Sequence, residues 1–176
     1  MSGLPVARRD ARERALELLY EAEAKSTAVG DILKALPLAP DAYAVDLVRG
    51  VAEHQGAHDA CISSYARGGW SISRMPVIDR IVLRMGIEEL THQRSVPTAV
   101  VLDEAVRLAK AFSTDDSGRF VNGMLANMAR SIRGEAIAPR PVETDSEDLP
   151  VIELHEGEEV PTMDMDAEPP TSLDLV

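Results

Sequence analysis

Apolar positions recur along this chain at steps of three and four residues, the repeat that lines up side chains on one face of an α-helix. Ala11, Ala15, Leu18, Leu19 and Ala22 form one such stripe and predict a helix over residues 8–25. A short helix is expected around residues 30–36, closed by Pro37 and Pro40. Asp41 suits a helix start, and the helix it opens is expected to run to Ala66. Its stripe takes in Val45, Val48, Ala52 and Ile62, while Gly50 and Gly56 weaken it and offer a close approach or a break.

Residues 68–71 read as a turn, with Trp70, the only tryptophan, as a plug at the core edge. The next stripe, Ile78, Ile81, Val82, Met85 and Leu90, predicts a helix over residues 76–93. Pro97 disfavours helical geometry at Val96, so the chain breaks there and Thr98 is expected to cap a new helix. That helix carries Val101, Ala105, Leu108 and Phe112. A last helix starts near Ser117 and carries Val121, Met124, Leu125, Met128 and Ile132. No strand-like alternation, internal repeat or Gly-rich nucleotide loop is found.

After Gly134 the pattern collapses. Prolines punctuate an acidic stretch with no periodicity, which cannot bury enough apolar area to offset the cost of ordering it. The expected organisation is a helical domain over residues 1–133 and a disordered acidic tail over residues 134–176.

Composition sharpens this picture in two ways. Aromatic residues are only 3% of the chain, so small and aliphatic side chains must fill the core, which favours closely packed helices over a β-sandwich. The net charge of −12 is all in the tail: residues 1–133 hold 17 basic and 17 acidic residues, whereas residues 134–176 hold one arginine and 13 acids. The body is a neutral domain with a local cationic patch. A lone cysteine, Cys61, excludes an intrachain disulfide, and no apolar run approaches the roughly 20 residues that span a bilayer. A cytoplasmic protein with no membrane partner is expected.

Little in the sequence points to catalysis. His54 and His58 are four apart and could share a helix face, as metal ligands do, but no third ligand is evident and the pair reads as solvated or partly buried. Cys61 reads as a structural thiol. No catalytic residue, metal site or cofactor is expected.

The first and last helices carry more information. Arg8, Arg9 and Arg12 crowd the start of the first helix, where the helix dipole disfavours cations by roughly 0.3–1 kcal/mol each. Arginine's planar fork grips phosphate and stacks on bases, so this run suits nucleic acid; it serves equally as a solvated face. Phe120 falls at the margin of the last helix's stripe, beside Arg119 and Asn122. There it could stack on an unpaired base, although packing against the first helix is favoured on pattern alone.

These stretches belong to an ordered set of motifs. The set runs Arg8-Arg9-x-Ala11-Arg12-Glu13-x-Ala15-Leu16-x-Leu18-Leu19-Tyr20, then Leu47-Val48-Arg49-Gly50-Val51, Gly69-Trp70 and Asp79-Arg80-Ile81-Val82-Leu83-Arg84. It continues through Glu89-Leu90, Val96-Pro97, Glu104-Ala105-Val106-x-Leu108-Ala109-Lys110-x-Phe112 and Asp116-Ser117-x-x-Phe120-Val121-Asn122-Gly123. Covering nearly all of residues 7–133, the set resembles the NusB family of transcription antitermination factors.

The resemblance implies an all-α fold of two packed three-helix bundles and no enzymatic activity. It implies binding, together with NusE (a small-subunit ribosomal protein), to single-stranded boxA RNA on nascent ribosomal RNA. The complex then joins the RNA polymerase elongation complex and suppresses premature termination. By position, the RNA-binding residues would be Arg8, Arg9, Arg12, Tyr20, Asp116 and Phe120, and the NusE-facing residues Asp79, Glu88 and Glu89. Asp79 is expected on the exposed side of its helix. Asp10 interrupts the arginine run, and Glu88 stands where an aromatic is frequent in the family. A homodimer that masks the arginine face is the alternative reading.

Overall fold

A computed structural model describes residues 4–66 and 71–134. The expected turn with its Trp70 plug and the expected disordered tail lie outside these residues. Among them are seven α-helices, one 3-10 turn and no strand. The helices are α1 (Leu4–Ala24), α2 (Val29–Ala35), α3 (Ala42–Glu53), α4 (Gln55–Tyr65), α5 (Val77–His92), α6 (Thr98–Phe112) and α7 (Ser117–Arg133), with the 3-10 turn at Ile72–Arg74.

The stripe read for α1 is its buried face, from Ala11 to Ala22. The predicted helix from Asp41 to Ala66 is two helices. Asp41 does cap α3, its carboxylate accepting from Tyr43 N at 2.8 Å. The break falls at His54, between the two glycines, and His54 both ends α3 and begins α4. The inward stripe of α3 is Ala44, Leu47, Val48 and Val51, one residue out of step with the expected Val45 and Ala52. Val45 is only partly buried and Ala52 is exposed.

α1, α2 and α3 pack together as one bundle, and α5, α6 and α7 as a second. α5 belongs to both, because it also packs on α1, α3 and α4, and every residue from Ile81 to Leu90 is buried. Such a helix cannot put its polar residues in water, so they must pair inside the protein. Arg84 donates to Asp59 of α4 at 2.7 and 2.9 Å and lies 3.4 Å from Glu23 of α1. Arg80 pairs with the same Glu23. Gly86 lets α7 come close: a Cβ there would lie 2.7 Å from Leu125 Cδ1.

Two details of the second bundle depart from expectation. Pro97, not Thr98, is the cap of α6, and Thr98 is buried in its first turn. Phe112 at the end of α6 is exposed rather than inward. The chain's last described turn is tied down by Arg133. Its guanidinium donates to the carbonyls of Glu89, Leu90, Gln93 and Val96 and to Thr98 Oγ1, at 2.7–3.3 Å. These acceptors include the Leu90 carbonyl in the last turn of α5, for which the helix itself supplies no donor. Gly134 then closes α7 with a left-handed backbone, φ 69°, the conformation that favours glycine.

Candidate nucleic-acid interface

The three arginines at the start of α1 have three different fates. Arg12 faces inward and is 2% exposed. Its Nε donates to both oxygens of Glu89 on α5, at 3.0 and 3.1 Å, and its second terminal nitrogen reaches Oε1 at 2.6 Å. Burial opposes the charge on Arg12, but the hydrogen bonds and attraction from Glu89 more than offset it, and its pKa is raised. Tyr43 of α3 completes the group: its hydroxyl donates to Glu89 Oε1. Burial, reinforced by the Glu89 charge, pushes the Tyr43 phenol well above its ordinary value.

Arg8 and Arg12 both set their guanidinium groups over the Tyr43 ring, 5.3 and 5.5 Å from its centre. Among the described residues Arg8 has no carboxylate partner. Arg9 lies on Glu104 of α6, 3.2 and 3.4 Å away, and its side chain stays 38% exposed. The hydrogen bond and charge of Glu104 raise its pKa. The start of α1 therefore presents Arg8 and Arg9 outward, while Arg12 anchors them from below. Sequence reasoning passed over Tyr43 and Glu104. Glu104 stood inside a quoted motif, whereas no signal marked Tyr43.

The other expected RNA-binding residues are spread over the surface. Tyr20 is exposed at 47%, twelve positions along α1 from Arg8, or roughly 18 Å of helix. Asp116 precedes α7 and is exposed, 3.9 Å from Arg119. Phe120 is partly buried. It lines a groove of about 530 Å³ with Tyr65, Ala66, Met75, Arg119, Met124 and Asn127. Hydrogen bonds and ion pairs bring Arg9 and Arg12 together with α6 and α5, and the groove sets Phe120 beside the end of α4.

The three carboxylates expected to face a protein partner are all buried, which corrects the exposed placement of Asp79. Ser117 Oγ donates to Asp79 Oδ2 at 2.9 Å, tying the start of α5 to the start of α7. Thr114 N and the Thr114 hydroxyl reach the same Ser117 Oγ, so this serine organises the turn before α7. Glu89 is committed to Arg12 and Tyr43. Glu88 points to the other side of α5, into a group of histidines. Helical periodicity treats polar residues as outward, whereas α5 is buried at Asp79 and from Ile81 to Leu90, which is why the pattern puts Asp79 on the exposed side.

Comparison with known proteins agrees with this architecture. The family model described as the NusB family matches residues 9–130. The transcription antitermination protein NusB of Beutenbergia cavernae is 46% identical over 140 residues, covering 70% of this chain and 90% of that protein. That of Symbiobacterium thermophilum is 42% identical over 154 residues, covering 80% of this chain and all of the relative. NusB of T. maritima superposes with a TM-score of 0.63 at 32% identity, over 70% of this chain and 90% of that chain. A chain from a crystal structure of the antitermination factors NusB and NusE in complex with double-stranded RNA superposes with a TM-score of 0.61 at 28% identity, over 71% of this chain and 97% of that chain. The chain belongs to the NusB family of transcription antitermination proteins.

Proposed function

We propose that this protein binds single-stranded boxA RNA on nascent ribosomal RNA together with NusE, and that the pair joins the RNA polymerase elongation complex in the cytoplasm to suppress premature termination. The observation that carries the NusE and RNA part of this reading is the match to a chain crystallised with NusE and double-stranded RNA, which spans nearly all of that chain; the choice of single-stranded boxA RNA rests on the resemblance to the family. The surface of this protein suits the role. Arg8 and Arg9 offer cationic forks at one end of α1, and Tyr20 and Phe120 offer partly exposed aromatic faces for unpaired bases. Asp116, exposed before α7, would read a base edge or order Arg119. Arg12 acts from within, holding the α1 start against Glu89. Asp79, Glu88 and Glu89 act on the partner surface through the helices they position.

Fluorescence anisotropy with a short labelled boxA RNA tests the reading. NusE should tighten binding by roughly 5- to 150-fold, the usual range for coupled sites. The same RNA annealed to its complement should compete poorly. Equal affinity for boxA and a scrambled RNA in the presence of NusE rejects the proposal.

A further inference from the structure

Three histidines converge on one buried carboxylate. Glu88 Oε2 lies 3.0 Å from His54 Nδ1 and 3.1 Å from His58 Nε2, and Glu88 Oε1 lies 3.0 Å from His92 Nδ1. The four residues come from three places: the α3–α4 break, the body of α4, and two successive turns of α5. We propose that His54, His58 and Glu88 bind one divalent transition-metal ion of the zinc class.

The donor set is the first reason. Imidazole nitrogen and carboxylate oxygen suit zinc and its neighbours, and two histidines with a glutamate leave one position for a further ligand. The spacing is the second. The ligand atoms of His54, His58 and Glu88 lie within 4.8 Å of one another. Zinc–ligand bonds of about 2.0–2.2 Å in a tetrahedron separate neighbouring ligand atoms by about 3.3 Å. The glutamate–histidine distances of 3.0 and 3.1 Å need to open by a few tenths of an ångström, and the two histidine nitrogens, within 4.8 Å of each other, to draw together.

The third reason is that the fold is shaped around the carboxylate. Gly50 of α3 has no Cβ, and one placed there would lie 2.2 Å from Glu88 Oε1. Glu88 and His58 are buried, so their orientation is set by packing. His58 Nδ1 is buried without a hydrogen-bond partner, so the ring's tautomer follows whatever sits at Nε2. The His54 and His92 side chains are 35% and 44% exposed, with rings stacked at 4.4 Å, and they give an ion a way in from solvent. A bound ion would fasten the α3–α4 break to α5.

Calorimetric titration of the metal-free full-length chain with zinc chloride tests the site. One equivalent should bind with sub-millimolar Kd and raise Tm. Cobalt(II) should give the visible absorption of a four-coordinate ion. His54→Ala, at a part-exposed position, should weaken binding at least about tenfold and abolish the cobalt bands, as should Glu88→Gln, with helix content unchanged by circular dichroism. His155→Ala, in the acidic C-terminal segment, should change neither. No zinc binding tighter than millimolar overturns the proposal. So does binding that survives His54→Ala and falls with His155→Ala.

Discussion

Arg12 and Glu89 lie 77 positions apart in sequence and meet as a buried, two-pronged ion pair between α1 and α5. Removing one partner leaves the other's charge buried without compensation, which costs about 3–5 kcal/mol. Glu89→Ala should therefore destabilise the protein by that order in urea unfolding. The double variant Arg12→Met with Glu89→Leu should recover most of the loss, because no charge is stranded. Single variants no worse than ordinary surface substitutions would show that the pair does not hold the two helices together.

The same double variant separates a supporting arginine from a contacting one. Each phosphate contact adds about 0.7 to the slope of log affinity against log salt for single-stranded nucleic acid. Replacing Arg8 and Arg9 by alanine should flatten that slope by about 1.4. The Arg12–Glu89 double variant should leave it unchanged. If the slope falls as far in the double variant, Arg12 reaches RNA directly.

Tyr43 predicts a loss of stability in alkali. Its folded pKa is raised, first by burial and then by Glu89, above the ordinary 10.0. The stabilisation is complete below pH 10, where the phenol is protonated in both states. It is lost as pH rises through the folded value, because the unfolded chain ionises first. Unfolding free energy measured between pH 9 and 11 should fall less steeply in Tyr43→Phe than in the parent. Parallel curves would mean that Tyr43 does not contribute.

Asp79 and Ser117 give a test of how a buried acid influences a partner surface. Ser117→Ala removes the hydrogen bond that Asp79 Oδ2 accepts and should cost about 1–3 kcal/mol of stability. If Asp79 works through the start of α7, Ser117→Ala and Asp79→Ala should weaken NusE binding alike in calorimetric titration. A loss confined to Asp79→Ala would mean that the carboxylate itself reaches the partner.

The helices themselves were largely legible from local pattern. The α1 stripe needed only the three-and-four repeat, and α7 was placed at its true start by the residues around Ser117. The interior of α5 was not legible. Its carboxylates find partners in α1, α3, α4 and α7, and spacing within one helix cannot register a partner so far away in the chain. His54 and His58 show the same limit: the sequence showed their spacing but not that Glu88 lies between them, because α5 meets the α3–α4 break only in the folded state. Phe120 is marginal, as the α7 stripe indicates, and half-buried beside a groove that also takes in Tyr65 and Ala66 at the end of α4. At 3% aromatic content, one ring of this size has few alternatives among which a pattern could choose.

Arg133 imposes an order on synthesis. The carbonyls of Leu90 and Val96 emerge from the ribosome some forty residues before the guanidinium that satisfies them, since Arg133 lies 43 positions after Leu90 and 37 after Val96. Domains tend to form from the N-terminus as they are made. Here α1, α2 and α3 can associate early, but the corner between α5 and α6 stays open to water until α7 is complete. A nascent chain halted between the end of α6 and residue 133 would hold a half-built second bundle with that corner unsealed, a state that chaperones and proteases can recognise.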